Sequence, residues 1–170
     1  MWDVVGVRVG RGAVVAAAVA LVGVVGILVW RGAGGPSFDV ERAPRADAPE
    51  CARLLERLPD ELAGRGREDV RTEGAAVWGA GDVVLRCGLR PPPPSVDPCV
   101  AVDDVEWLLL EARSQGDRKV LLTYGRDPAV EVSLSQGVAG VDAALIDLSR
   151  LVKPIRQRGE CIGEDEPEGL

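Results

Sequence analysis

The 170-residue chain contains no histidine. That removes the commonest general base, the commonest metal ligand and every Ser-His or Cys-His nucleophile pair. Lysine is almost as scarce, with Lys119 and Lys153 the whole complement. Neither follows a Ser-x-x-Lys pattern, so the histidine-free nucleophile dyad has no sequence support. No Gly-Lys-Ser/Thr phosphate loop occurs. Aromatic residues make up only 4% of the chain, so the core has to be built mainly from Val, Leu and Ala. No C-x-x-C spacing occurs, which argues against a redox pair and a zinc site, and no cofactor or metal is expected.

One long uncharged run is present. Ala13 to Trp30 reads AVVAAAVALVGVVGILVW. Its length approaches the ~20 apolar residues of a spanning helix, and it is apolar all round. Arg8 and Arg11 precede it, which favours a cytoplasmic N-terminus, and Trp30 suits an interface. The expected layout is a short cytoplasmic segment at 1–12, a transmembrane signal anchor at 13–30 and a Gly/Pro-containing linker at 31–49. An extracytoplasmic domain at 50–161 and an acidic tail at 162–170 follow. A cleaved signal peptide is the alternative, although its apolar core usually spans only about 7–15 residues. Localisation at the cell membrane, single-pass with the domain outside, follows from this reading.

From Arg31 onward there are 18 basic and 26 acidic residues. A domain this acidic lacks the electrostatic footprint of a nucleic-acid binder, and anionic headgroups would repel it. The membrane is therefore expected as a partner only through residues 13–30.

Within the domain, Cys51, Leu54, Leu55 and Leu58 recur at helical spacing. Pro49 suits the first turn, Asp47 the cap, and Pro59 the stop. Residues 60–74 read as a loop. Val83–Cys87, Val105–Ala112, Lys119–Tyr124 and Ala129–Leu134 read as strands. The last three are joined by turns at Ser114–Asp117 and Arg126–Pro128 into an antiparallel meander. Tetraproline 91–94 must be an extended surface loop. A second helix is expected over Val141–Val152, with Val141, Ala144, Leu145, Leu148 and Leu151 on its apolar face. The fold class is α+β: a transmembrane helix, then a small antiparallel sheet packed by two helices and stapled by disulfides.

The four cysteines, Cys51, Cys87, Cys99 and Cys161, suit two disulfides in an oxidising compartment. Of the three pairings, Cys87–Cys99 with Cys51–Cys161 is favoured: one closes the proline-rich loop, the other ties the domain's ends together.

Several of these segments occur together in order: Cys51 with Leu58-Pro59, Trp78-Gly79, Val84–Gly88, Cys99 with Val105 and Trp107, Gly125–Val132 and Leu145–Ser149. In this order they resemble an actinobacterial family of membrane-anchored or secreted extracytoplasmic proteins catalogued as a domain of unknown function. The resemblance covers roughly residues 50–161. It implies export and an envelope setting, and it supplies no catalytic residue.

Candidate chemistry is sparse. Asp103, Asp104 and Glu106 offer carboxylates for acid–base work, although neighbours on a strand point to opposite faces. A charged turn is the simpler reading. Arg126 in Gly-Arg-Asp-Pro is suited to gripping a carboxylate or phosphate; the simpler reading is a hairpin-turn arginine, solvated or paired with Glu131. Trp107 offers a stacking surface for sugar, against its simpler role as a core anchor. Trp107, Arg126, Asp103 and Asp104 are thus the candidate binding surface. The reading this supports is a non-enzymatic binding or scaffolding module with a protein or glycan partner in the cell envelope. The rival is a carboxylate-dependent cell-wall glycan hydrolase using acidic residues near Asp103–Glu106.

Overall fold

Helix α1 spans Pro49–Arg57. Pro49 supplies a helix-ready φ, Glu50 faces the positive end of the helix dipole and Arg57 the negative end. The cap is Ala48, with no side-chain hydrogen bond. Asp47 therefore does not cap the helix as expected; its carboxylate lies 3.7 Å from the Arg42 guanidinium. The computed structural model describes residues 38–137 and 139–161. The expected cytoplasmic segment 1–12, the membrane segment 13–30, the linker residues 31–37 and the acidic tail 162–170 lie outside the described residues. Among the described residues, no helix is long and apolar enough to cross a membrane.

After α1 come β1 (Glu61–Leu62), β2 (Arg65–Gly66), β3 (Ala75–Trp78), β4 (Val83–Leu89), β5 (Cys99–Val102), β6 (Val105–Leu109), β7 (Arg118–Thr123), β8 (Ala129–Ser135) and helix α2 (Val141–Val152). The described residues are mainly antiparallel sheet with two helices. Strands β3 to β8 form one six-stranded sheet in the order β3-β4-β8-β7-β6-β5. The expected meander is β6-β7-β8. Strand β8 then pairs with β4, so the early hairpin completes the sheet on that side. Residues 60–74, expected as a loop, contain the small β1–β2 hairpin, whose turn residues Ala63 and Gly64 both have positive φ. Strand β6 ends at Leu109, short of Ala112, because Glu111–Arg113 form a 3₁₀ turn.

Alternation along the strands sends Val83, Leu85 and Cys87, Val105 and Trp107, and Val130, Val132 and Leu134 to one face. There they cluster with Cys51 and Leu54 of α1 and with Ala144, Leu148 and Val152 of α2. The indoles of Trp78 and Trp107 are fully buried with their N–H groups satisfied. Trp78 Nε1 donates to the Pro59 carbonyl (3.0 Å), and Trp107 Nε1 donates to Ser149 Oγ (3.0 Å). Ser149 Oγ in turn donates to the Leu145 carbonyl, so a hydroxyl inside α2 is used twice.

Two expectations change here. The disulfides are Cys51–Cys87 and Cys99–Cys161, with Cα separations of 5.5 and 6.4 Å. Sheet order excludes the expected Cys87–Cys99 bond. Strands β4 and β5 are four inter-strand steps apart, about 19 Å at ~4.8 Å per step, whereas a disulfide tolerates about 7 Å. Cys87 instead lies on the core face beneath the first turn of α1, where Cys51 meets it. The second change concerns the expected linker, whose described residues before α1, 38–48, lie against the domain. Ala43 and Ala46 are buried, Arg45 N donates to the Gly88 carbonyl (2.9 Å), and Arg86 Nε donates to the Glu41 carbonyl (2.9 Å). Gly88 permits this approach: its φ is +105°, and a Cβ there would collide with the backbone of Arg45 and Ala46.

Candidate functional site

The Gly125–Pro128 corner between β7 and β8 joins three parts of the chain. Gly125 has positive φ, and a Cβ there would strike the Gly159 carbonyl; its own carbonyl accepts from Arg158 N at 2.7 Å. The Asp127–Pro128 peptide is cis. Asp127 pairs with Arg45 from the N-terminal segment and lies 3.8 Å from Arg158 in the C-terminal one.

Arg126 is 3% exposed. Its Nη1 donates to the carbonyls of Lys153 (2.9 Å) and Ile155, and its Nη2 to those of Asp104 (3.2 Å) and the Gln157 side chain (3.1 Å). The guanidinium thus sits at the C-terminal end of α2, where helix carbonyls lack partners and a cation is favoured. Burial pushes its pKa down, and the nearby Glu106 charge opposes that. Arg126 is neither solvated nor paired with Glu131, as the turn reading expected. Glu131 is buried between Arg86 (3.2 Å) and Arg113 on the other sheet face. With its terminal nitrogens committed to the protein, Arg126 is not presented for an external anion.

Asp103 and Asp104 are the two central residues of the β5–β6 turn, both at positive φ (49° and 62°), the pattern of a primed hairpin turn. Their carboxylates face α2. Asp104 meets Lys153 Nζ at 2.6 Å, and Asp103 lies 3.6 Å from Arg150. The hydrogen bond to Lys153 holds the Asp104 pKa below, and the Lys153 pKa above, their ordinary values. Glu106 points elsewhere: its Oε2 accepts from Cys161 N (2.8 Å) and Gln157 Nε2 (3.1 Å). Trp107 lies on the core side of the sheet. The four candidate surface residues therefore separate into a buried clamp, a buried core anchor and two turn carboxylates, and they do not converge on one surface.

A concavity does exist beside them. A groove of about 730 Å³ runs along the sheet edge. Its floor is Cys99 and Ala101 of β5, Leu108 of β6 and Tyr124 after β7, and one wall is the loop Pro94–Pro98. Glu106 and the Cys99–Cys161 disulfide close one side. Val96, in that loop, is fully exposed. Among the described residues, strand β5 is the last in the sheet, and the outward backbone groups along it have no neighbouring strand. Sequence pattern alone missed this place because β5 is too short and too exposed to register as an alternating strand. Among the described residues, no group of three potential metal ligands comes together.

A family model described as "Protein of unknown function (DUF3515)" matches residues 13–160. The chain belongs to that family. The match extends beyond the region of resemblance read from the sequence. Nothing matches among curated proteins or among solved structures.

Proposed function

We propose that this DUF3515 protein is a membrane-anchored extracytoplasmic module of the bacterial envelope that binds or scaffolds another envelope component. The observation that carries the reading is the open groove at the β5 edge. A free strand edge floored by apolar side chains suits an extended segment of a partner, with main-chain hydrogen bonds giving affinity and side-chain pockets giving choice. The anchor and the envelope setting rest on the apolar run 13–30, its Arg8/Arg11 flank and the disulfides. A photo-crosslinking residue placed at Val96 or Ala101 in living cells is expected to trap a discrete partner, and one at Ile146 on α2 is not. Adducts from Ile146 alone, or none from either groove position, would sink the binding role of the groove. A protease added to spheroplasts tests the topology separately, since an internal domain would be protected.

The glycan hydrolase remains the second reading because Glu106 lines the groove. It needs a partner carboxylate at about 5–9.5 Å across the cleft. Glu106→Gln keeps an acceptor for the Cys161 N–H. Loss of muralytic activity in that variant, with unchanged folding, would favour hydrolysis over binding.

A further inference from the structure

Away from the groove, α1 and the segment after α2 enclose a cleft of about 340 Å³. Four arginines line it: Arg53 and Arg57 from α1, and Arg156 and Arg158 from the chain beyond Pro154. This is a local reversal of sign, because the chain from Arg31 onward carries a clear excess of acid. Among the described residues only two carboxylates share the cleft, and both are engaged. Glu50 pairs with Arg53 at 3.3 Å, and Asp127 is held by Arg45 and approached by Arg158. Arg57 and Arg156 make no ion pair or side-chain hydrogen bond among the described residues. Gathering like charges costs free energy that a bound anion would return. The cleft also has an apolar side, formed by Leu151 and Pro154 over the buried Leu54 and Ile155.

We infer that this cleft binds an organic phosphate, with Arg57 and Arg156 gripping the phosphate and Leu151 and Pro154 contacting the carbon portion. Guanidinium forks match phosphate oxygens bidentately, and exposed arginines with nothing else to bind are available for it. The apolar wall favours a phosphate that carries carbon over the bare ion. The same chemistry is presented by a phospholipid headgroup and by a soluble phosphomonoester. The site is independent of the groove and of whatever occupies it.

The test is calorimetric titration of the full chain in non-ionic detergent with two probes. One is sn-glycerol 3-phosphate; the other is dihexanoyl phosphatidylglycerol below its micellar concentration, with dihexanoyl phosphatidylcholine as the zwitterionic control of zero net charge. Saturable binding of at least one anionic probe is expected, weakening as salt is added. Tighter binding of the phosphatidylglycerol would point to a lipid source, and equal or tighter binding of glycerol phosphate to a soluble one. Arg57→Ala with Arg156→Ala should weaken binding at least about tenfold, because charged hydrogen bonds are lost. Arg71→Ala with Arg90→Ala, which removes two exposed arginines elsewhere, should leave it unchanged. Both pairs are exposed, so melting temperatures should match the parent. Failure of both anionic probes to bind, or equal weakening by the two double variants, would overturn the inference.

Discussion

Trp107 is a large side chain with no solvent exposure and one polar atom that has to be satisfied. Trp107→Ala is expected to cost about 3–5 kcal/mol. Ser149→Ala keeps the volume nearly constant but strands the indole N–H, and is expected to cost about 1–3 kcal/mol. The two effects should not add in the double variant, because both report on one contact. Thermal unfolding of the four proteins checks this, and additive losses would mean that the hydrogen bond contributes nothing. Asp104 is the opposite case, an exposed carboxylate defined by its charge. Its folded pKa is lowered by Lys153, so its contribution is present above the ordinary carboxylate range and is lost as pH falls through the depressed folded value. The Lys153 pKa is raised, so the same pair is also lost as pH climbs through the elevated lysine value. Asp104→Asn should therefore lower the melting temperature slightly at neutral pH and not at all in strong acid. A difference that persists in strong acid would show that the turn backbone, and not the ion pair, is responsible.

At the scale of elements, the two disulfides differ in environment. Cys51 and Cys87 are fully buried between α1 and β4, whereas Cys99 lies exposed on the edge strand. Under limiting reductant, alkylation and peptide mapping should find Cys99 and Cys161 labelled well before Cys51 and Cys87, since thiolate attack needs access to the sulfur. Simultaneous labelling would indicate that reduction follows global unfolding. Each bond closes a loop for which the chain-entropy model gives about 4 kcal/mol. The pattern of legibility also lies at this scale. Both helices were readable because the spacing of Cys51, Leu54, Ala144 and Leu148 is local information. Four strands were readable because Val83–Cys87, Val105–Leu109 and their successors are rich in branched and aromatic residues. Strand β3 was not, because Ala75–Trp78 is buried at all four positions and so shows no alternation. Cysteine pairing depends on strand order, which no short window contains. The role of Arg126 was hidden for a similar reason. Its partners, Lys153, Ile155 and Asp104, come from segments 22 to 29 residues away, and three of its acceptors are main-chain carbonyls that leave no trace in composition.

Across the whole molecule, the disulfides follow one another along the chain: one encloses a separation of 36 residues, the next a separation of 62. Nested bonds, as first expected, would have turned the domain into a single ring with no slack. Serial bonds make two locked packets connected by the stretch from Cys87 to Cys99. Under tension between Phe38 and Cys161, only residues 38–51 and 87–99 can pay out, about 25 residues and no more than roughly 90 Å. Pulling the same chain in reductant should release roughly 300 Å more, readable as a second set of steps in a force–extension trace. Much of the connecting stretch is proline and already drawn out. The compliance of the oxidised molecule is therefore concentrated in the N-terminal segment that rests on Gly88. A load arriving from that side would peel a short strap as far as Cys51 and then cross the Cys51–Cys87 bond, leaving the residues between those two cysteines unloaded.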